Sequence, residues 1–174
     1  MFFNTNWLLL ASISQYGYIT QAIATQIGLL YVTSDDWLNI SLRLGFALLI
    51  GGIIGLERQL RHKPAGLRTN MLVSLGSAVF TIIAIQAGGM QINGDSLSRV
   101  IQGIAAGVGF LGAGEILRES SHKTQSLEVH GLTSAAAIWV VAALGIACGC
   151  GFWQLALIAA ILTVIILNVF KRLE

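Results

Sequence analysis

From Leu38 to Leu56 the chain runs almost unbroken through apolar residues, and four comparable runs follow, each set off by polar residues or a turn. A run of about 19 residues makes about 28 Å of helix, close to the thickness of a hydrocarbon core, so it reads as a membrane span. The second run is Asn70–Ala87 and the third Val100–Leu117. The fourth opens at Gly131-Leu132-Thr133-Ser134 and ends near Ala147, and the fifth is Phe152–Phe170. Between them lie Leu56–Thr69, Gly88–Ser98 with Asn93-Gly94 as its turn signal, the polar loop Arg118–His130, and a tight turn at Gly149–Gly151. The pattern predicts an all-α membrane protein, with a bundle of five transmembrane helices over residues 37–174.

The first 36 residues carry a weaker pattern. Ile19, Ile23, Ile27 and Leu30 fall on one helical face, with Gln15, Gln21 and Thr25 between them. This predicts an N-terminal helix lying in the interface, with an extra span from about Trp7 to Val32 as the alternative. Asp35, Asp36 and Trp37 mark the boundary with the first span.

Composition agrees. Of 174 residues 55% are hydrophobic and 10% charged, which excludes an ordinary soluble domain. A net charge of +2, without basic–aromatic interleaving, offers nothing to nucleic acid. Cys148 and Cys150, one glycine apart, are too close for a relaxed bridge and too few for a zinc site, so they read as small apolar residues.

Charge then orients the spans. Leu56–Thr69 holds Arg58, Arg61, Lys63 and Arg68 against Glu57, together with the chain's single proline, Pro64. Adding Arg118, Lys123, Lys171 and Arg172 puts eight of the ten Lys and Arg residues on one side, leaving Arg43 and Arg99. By the positive-inside rule the Leu56–Thr69 loop and the C-terminus are cytoplasmic and the turn before Asp95 faces out. Arg43, inside the first span, is expected to snorkel to the near surface or pair with an acid of a neighbouring helix.

Glycine predicts the packing. Gly51 and Gly55 form a GxxxG pair, and Gly45 and Gly52 stand a heptad apart. The third span carries Gly103, Gly107, Gly109, Gly112 and Gly114, with Ala105, Ala106 and Ala113. Glycine costs helix stability and gains nothing against lipid, so this span is expected to be the central one, with close neighbours on several sides. Asp95 is expected to cap it and to pair with Arg99 four residues on. Glu115, about 24 Å along the axis from Arg99, should lie level with Glu57, Arg58 and Arg68.

Three stretches carry a resemblance: GLERQ-x-x-x-KPAGLRTN-x-LV-x-LGSAVF at Gly55–Phe80, D-x-x-x-R with GVGFLGAGEI at Asp95–Ile116, and GLTSAAAIW at Gly131–Trp139. In this order they resemble the MgtC/SapB family of bacterial inner-membrane proteins, over about Leu38 to Phe170. The motif positions include Pro64, Gly66, Thr69, Asn70, Gly131, Thr133 and Trp139. The resemblance implies a multi-pass inner-membrane protein linked to magnesium limitation and, in intracellular pathogens, to survival inside host cells. Virulence-type members add a soluble domain after the last span, whereas this sequence reaches Glu174. They also tend to carry Cys where Val140 follows Trp139. The expectation is therefore the transmembrane domain of the family.

No enzyme signature appears: there is no GxxxxGK[ST], HExxH or GxSxG. His62, His122 and His130 have no metal-pair spacing and read as solvated. The candidate polar cluster is Glu57, Arg58, Lys63, Arg68 and Glu115, read either as an ion-pair network locking helix ends or as a cytoplasm-facing polar site. No cofactor is implied. Magnesium keeps several waters and needs only one or two carboxylates, so Glu57 and Glu115 suffice in kind, although the adjacent arginines would repel it. Two functions stay open: a non-catalytic membrane component acting through homo-oligomers or other membrane proteins within the lipid bilayer, or a small ion transporter past Glu57, Arg68 and Glu115.

Overall fold

A computed structural model of the chain describes residues 36–87, 94–121 and 131–169. The segment read as an interfacial helix or extra span lies outside these residues, apart from Asp36. Among these described residues are five helices: α1 (Trp37–Leu60), α2 (Leu67–Ala87), α3 (Gly94–Ser121), α4 (Leu132–Cys150) and α5 (Trp153–Val169). The first four are long and apolar enough to cross a membrane. The 17 described residues of α5 make about 26 Å, at the short end of the spanning range.

The helices outrun their apolar stretches. α1 continues through Glu57 and Arg58, and α2 starts at Leu67, so only residues 61–66 of the expected Leu56–Thr69 loop lie outside helices. Likewise Arg118–Ser121, expected in a loop, belong to α3. Hydropathy marks where lipid ends, but backbone hydrogen bonding continues until something caps it. At the start of α1 that is Asp36, whose Oδ1 accepts from the Asn39 amide at 3.2 Å. At its end, the Lys63 amide returns to the Arg58 carbonyl and that of His62 to Gln59. This is a Schellman closure, with His62 at φ +53° in the place glycine usually takes. Asp95 lies in the first turn of α3 rather than at the expected cap.

α2 sits between α1 and α4. On the α1 side a Cβ added at Gly51 would stand 2.8 Å from the Asn70 carbonyl oxygen and 2.9 Å from Ser74 Cβ, and one at Gly55 2.8 Å from Leu67 Cα. On the α4 side Gly145 is pressed on Ser74 and Ser77, and a Cβ at Gly149 would stand 2.8 Å from Thr81 Cβ. Two glycine faces thus enclose one stripe of α2: Asn70, Ser74, Ser77, Ala78 and Thr81, all buried. Two of its hydroxyls bond carbonyls, Ser74 donating to that of Ala47 and Thr81 to that of Ser77, both at 2.8 Å. Small residues let the backbones approach, and the hydroxyls bond carbonyls that lipid could not serve. An apolar core of Ala47, Ile50, Ile54, Val141, Leu144 and Cys148 continues the α1–α4 contact. α5 leans on α1, where Trp153 meets Phe46 edge-on at 5.2 Å between centroids.

The expected central helix is not α3. Only 17% of its apolar window is buried, against 56% for α4. Gly112 does meet α4, with a Cβ position 3.2 Å from Ala135 Cβ, but Gly103, Gly107, Gly109 and Gly114 face open space. Glycine content shows that a close approach is tolerated, but not which helix makes it. Outward-facing Leu49, Ile53, Phe110, Leu157 and Ile161 complete a surface suited to lipid.

Candidate functional site at the hinge end of the bundle

Polar chemistry gathers at the two ends of the bundle. At the hinge end, the segment 61–66 is folded inward: Ala65 is 2% exposed and joins Val108, Ile138 and Ala142 in a second apolar cluster. Asn70 holds it there. Its Nδ2 donates to the carbonyls of Ala65 and Gly66, each at 2.8 Å. Gln59 steadies the next residue, its Oε1 accepting from the Leu67 amide at 3.2 Å. Pro64, Gly66 and Asn70 of the motif therefore build one turn and its anchor, while Pro64, Lys63, Arg68 and Thr69 are exposed.

Two arginines tie helix ends together. Arg58, 3% exposed, donates from Nη2 to Ser134 Oγ at 2.5 Å, joining α1 to the first turn of α4. Arg61 forms an ion pair with Glu57 one turn back and donates to Asn168 Oδ1, joining α1 to α5. Asn168 in turn donates to the Val164 carbonyl at 2.7 Å. Of the residues proposed from sequence, Glu57 and Arg58 enter these contacts. Arg68 is exposed, and neither Arg68 nor Glu115 makes an ion pair among the described residues. The missing members are Arg61, Ser134, Asn168 and Gln59. No spacing in one sequence announces contacts between α1 and helices α4 and α5, far along the chain.

Buried acceptors remain here. Glu57 Oε2, Asn70 Oδ1 and Glu115 Oε1 are shielded and accept no hydrogen bond among the described residues. Acceptor-only oxygens at one end of a bundle suit a hydrogen-bond donor from outside, such as water, or a hard cation that they would coordinate. Yet the described residues hold no cluster of three or more His, Cys, Asp or Glu that could bind a metal, and Glu57 already faces Arg61.

At the far end, Arg43 is 2% exposed. It turns inward instead of snorkelling: Nε donates to Asn39 Oδ1 at 2.8 Å and Nη1 to the Gly149 carbonyl at 2.7 Å. The guanidinium thus sits on the C-terminal end of α4, where the helix dipole favours a cation. The turn beside it closes with the Gly151 and Phe152 amides on the Cys148 and Ala147 carbonyls. Gly151 is favoured by its φ of +79°, and a Cβ there would stand 3.0 Å from the guanidinium, which would have to give slightly. Cys148 and Cys150 are free and buried. The expected Asp95–Arg99 contact is not among the ion pairs of the described residues, and both side chains are exposed. Of the α4 motif, Ser134 bonds across helices while Thr133 and Trp139 face outward, and Gly131 starts the helix at φ +88°.

Protein SrpB of Synechococcus elongatus is 49% identical, an alignment covering 85% of this chain and 84% of that protein. Protein MgtC of Salmonella typhimurium is 42% identical over 75% of this chain and 52% of its own length. The Escherichia coli K12 protein named "Putative magnesium transporter YhiD" is 39% identical over 76% of this chain and 60% of its own length. The chain thus spans most of SrpB but only half to three-fifths of the other two. No solved structure matches it. The MgtC family model matches residues 44–174, and with these relatives it makes the chain a member of the MgtC family.

Proposed function

We propose that the chain is a non-catalytic protein of the bacterial inner membrane, with its 61–66 hinge in the cytoplasm, that serves magnesium homeostasis or stress adaptation by docking a helix of another membrane protein on α3. The observation that carries this is the outward side of α3. Gln102, Ala106, Gly109 and Ala113 recur at four, three and four residues and are all exposed. Small residues at this spacing admit a second helix closely, and a glutamine in hydrocarbon gains from a partner's hydrogen bond. Family membership and a relative named for magnesium transport support the physiological setting.

A transporter reading rests on the buried acceptors of Asn70 and Glu115. Against it, the buried hydroxyls deeper in the bundle, Ser74 and Thr81, are already bonded to carbonyls of the same chain. One experiment separates the readings. Replacing Ala106 and Gly109 with Ile should abolish growth support in limiting magnesium, and crosslinking from Ala113→Cys, with the melting temperature unchanged. Undiminished growth and crosslinking in that variant would refute docking on α3. Magnesium flux into liposomes from the parental chain, lost in Glu115→Gln, would instead establish transport.

A further inference from the structure

On its other side α3 forms a groove with α2. Its volume is about 660 Å³, it opens sideways, and its walls are almost wholly apolar. Gly76 of α2 and Gly103 and Gly107 of α3 line it, and none has a neighbouring heavy atom within 4 Å of its Cβ position. Phe80 stands on the α2 wall. The one charged lining residue, Arg99, lies at one end. From Arg99 to Leu111, the last lining residue of α3, the groove runs about 18 Å, slightly more than the roughly 15 Å of hydrocarbon in one leaflet.

A cation at headgroup level above an apolar channel one leaflet deep has the form of a phospholipid. We infer that this groove holds an acyl chain of a glycerophospholipid from the leaflet on the Arg99 side, with the lipid phosphate bound by Arg99. Arg99 is exposed and makes no ion pair among the described residues, so its donors are available to phosphate. A second copy fits less well. Parallel chains paired through this groove about a two-fold axis would set both Arg99 side chains at the same level, like charge against like. The site goes beyond the docking face, which uses the opposite side of α3, so either can fail without the other.

Native mass spectrometry of the purified full chain tests it, comparing phosphatidylglycerol with a diacylglycerol of the same chains. The parental protein should retain phosphatidylglycerol about fivefold better, the usual gain from one basic residue at a lipid phosphate. Arg99→Gln should erase that preference and Arg99→Lys keep most of it. Joint replacement of Gly103 and Gly107 with Leu should abolish retention of both lipids with helical content intact. Undiminished preference in Arg99→Gln, or lipid still held by the leucine variant, would overturn the assignment. So would crosslinking from Gly107→Cys that captures another protein chain. If the leucine variant fails to fold, the Arg99 pair decides alone.

Discussion

Arg43 shows how much one contact changes the meaning of a residue. In the sequence it is a charge misplaced in an apolar run, with the water surface or an acid as its natural outlets. In the fold it ends the carbonyl ladder of α4 at Gly149, a hundred residues away, and packs over Gly151. Arg43→Met would keep most of the volume and strand the Gly149 carbonyl, costing about 1–3 kcal/mol, the penalty for a buried unpaired acceptor. Thermal melting in detergent should show the loss, with Arg43→Lys recovering part of it; a Met variant melting at the parental temperature would exclude the capping role. Asn70 makes the same point at the other end. Its place in the KPAGLRTN motif was readable, but that its amide pins Ala65 and Gly66 was not, because that contact exists only once α2 has formed beside the hinge.

At the scale of elements, the apolar runs located the helices and missed several of their ends. α1 and α3 continue into charged residues because caps, not hydropathy, stop a helix. Gly51 and Gly55 were legible as a contact face and do meet α2. The matching pair Gly145 and Gly149 has the same spacing and meets α2 from the other side, a contact the spacing alone does not single out from the glycines of α3. The two kinds of glycine should respond oppositely to one methyl group. Gly145→Ala would push α4 away from Ser74 and Ser77 and should destabilise by about 1–3 kcal/mol, the usual cost of overpacking. Gly109→Ala meets nothing and should stabilise by roughly 1 kcal/mol through helix propensity. Equal melting temperatures for these two variants would contradict the assignment of α4 rather than α3 to the packed centre.

For the whole molecule, the distribution of Lys and Arg predicts a side for each end. His62→Cys should react with an impermeant maleimide only after cells are opened, and Asp95→Cys in intact cells. The native Cys148 and Cys150 are buried and should stay silent. Labelling of His62→Cys from outside would reverse the orientation and place the hinge-end contacts on the opposite face.

Membrane class, the five described helices and family were accessible from the order of residues alone, because the bilayer demands long apolar runs and self-satisfied backbones whatever the helices touch. Helix arrangement was not. Which glycine face meets which helix, and which arginine reaches which carbonyl, depend on contacts between residues far apart in the chain, and a single sequence carries no record of those distances. Tertiary packing placed α2 between two glycine faces, left α3 with all its mid-helix glycines but Gly112 in open space, and turned scattered charges into clasps between helix ends.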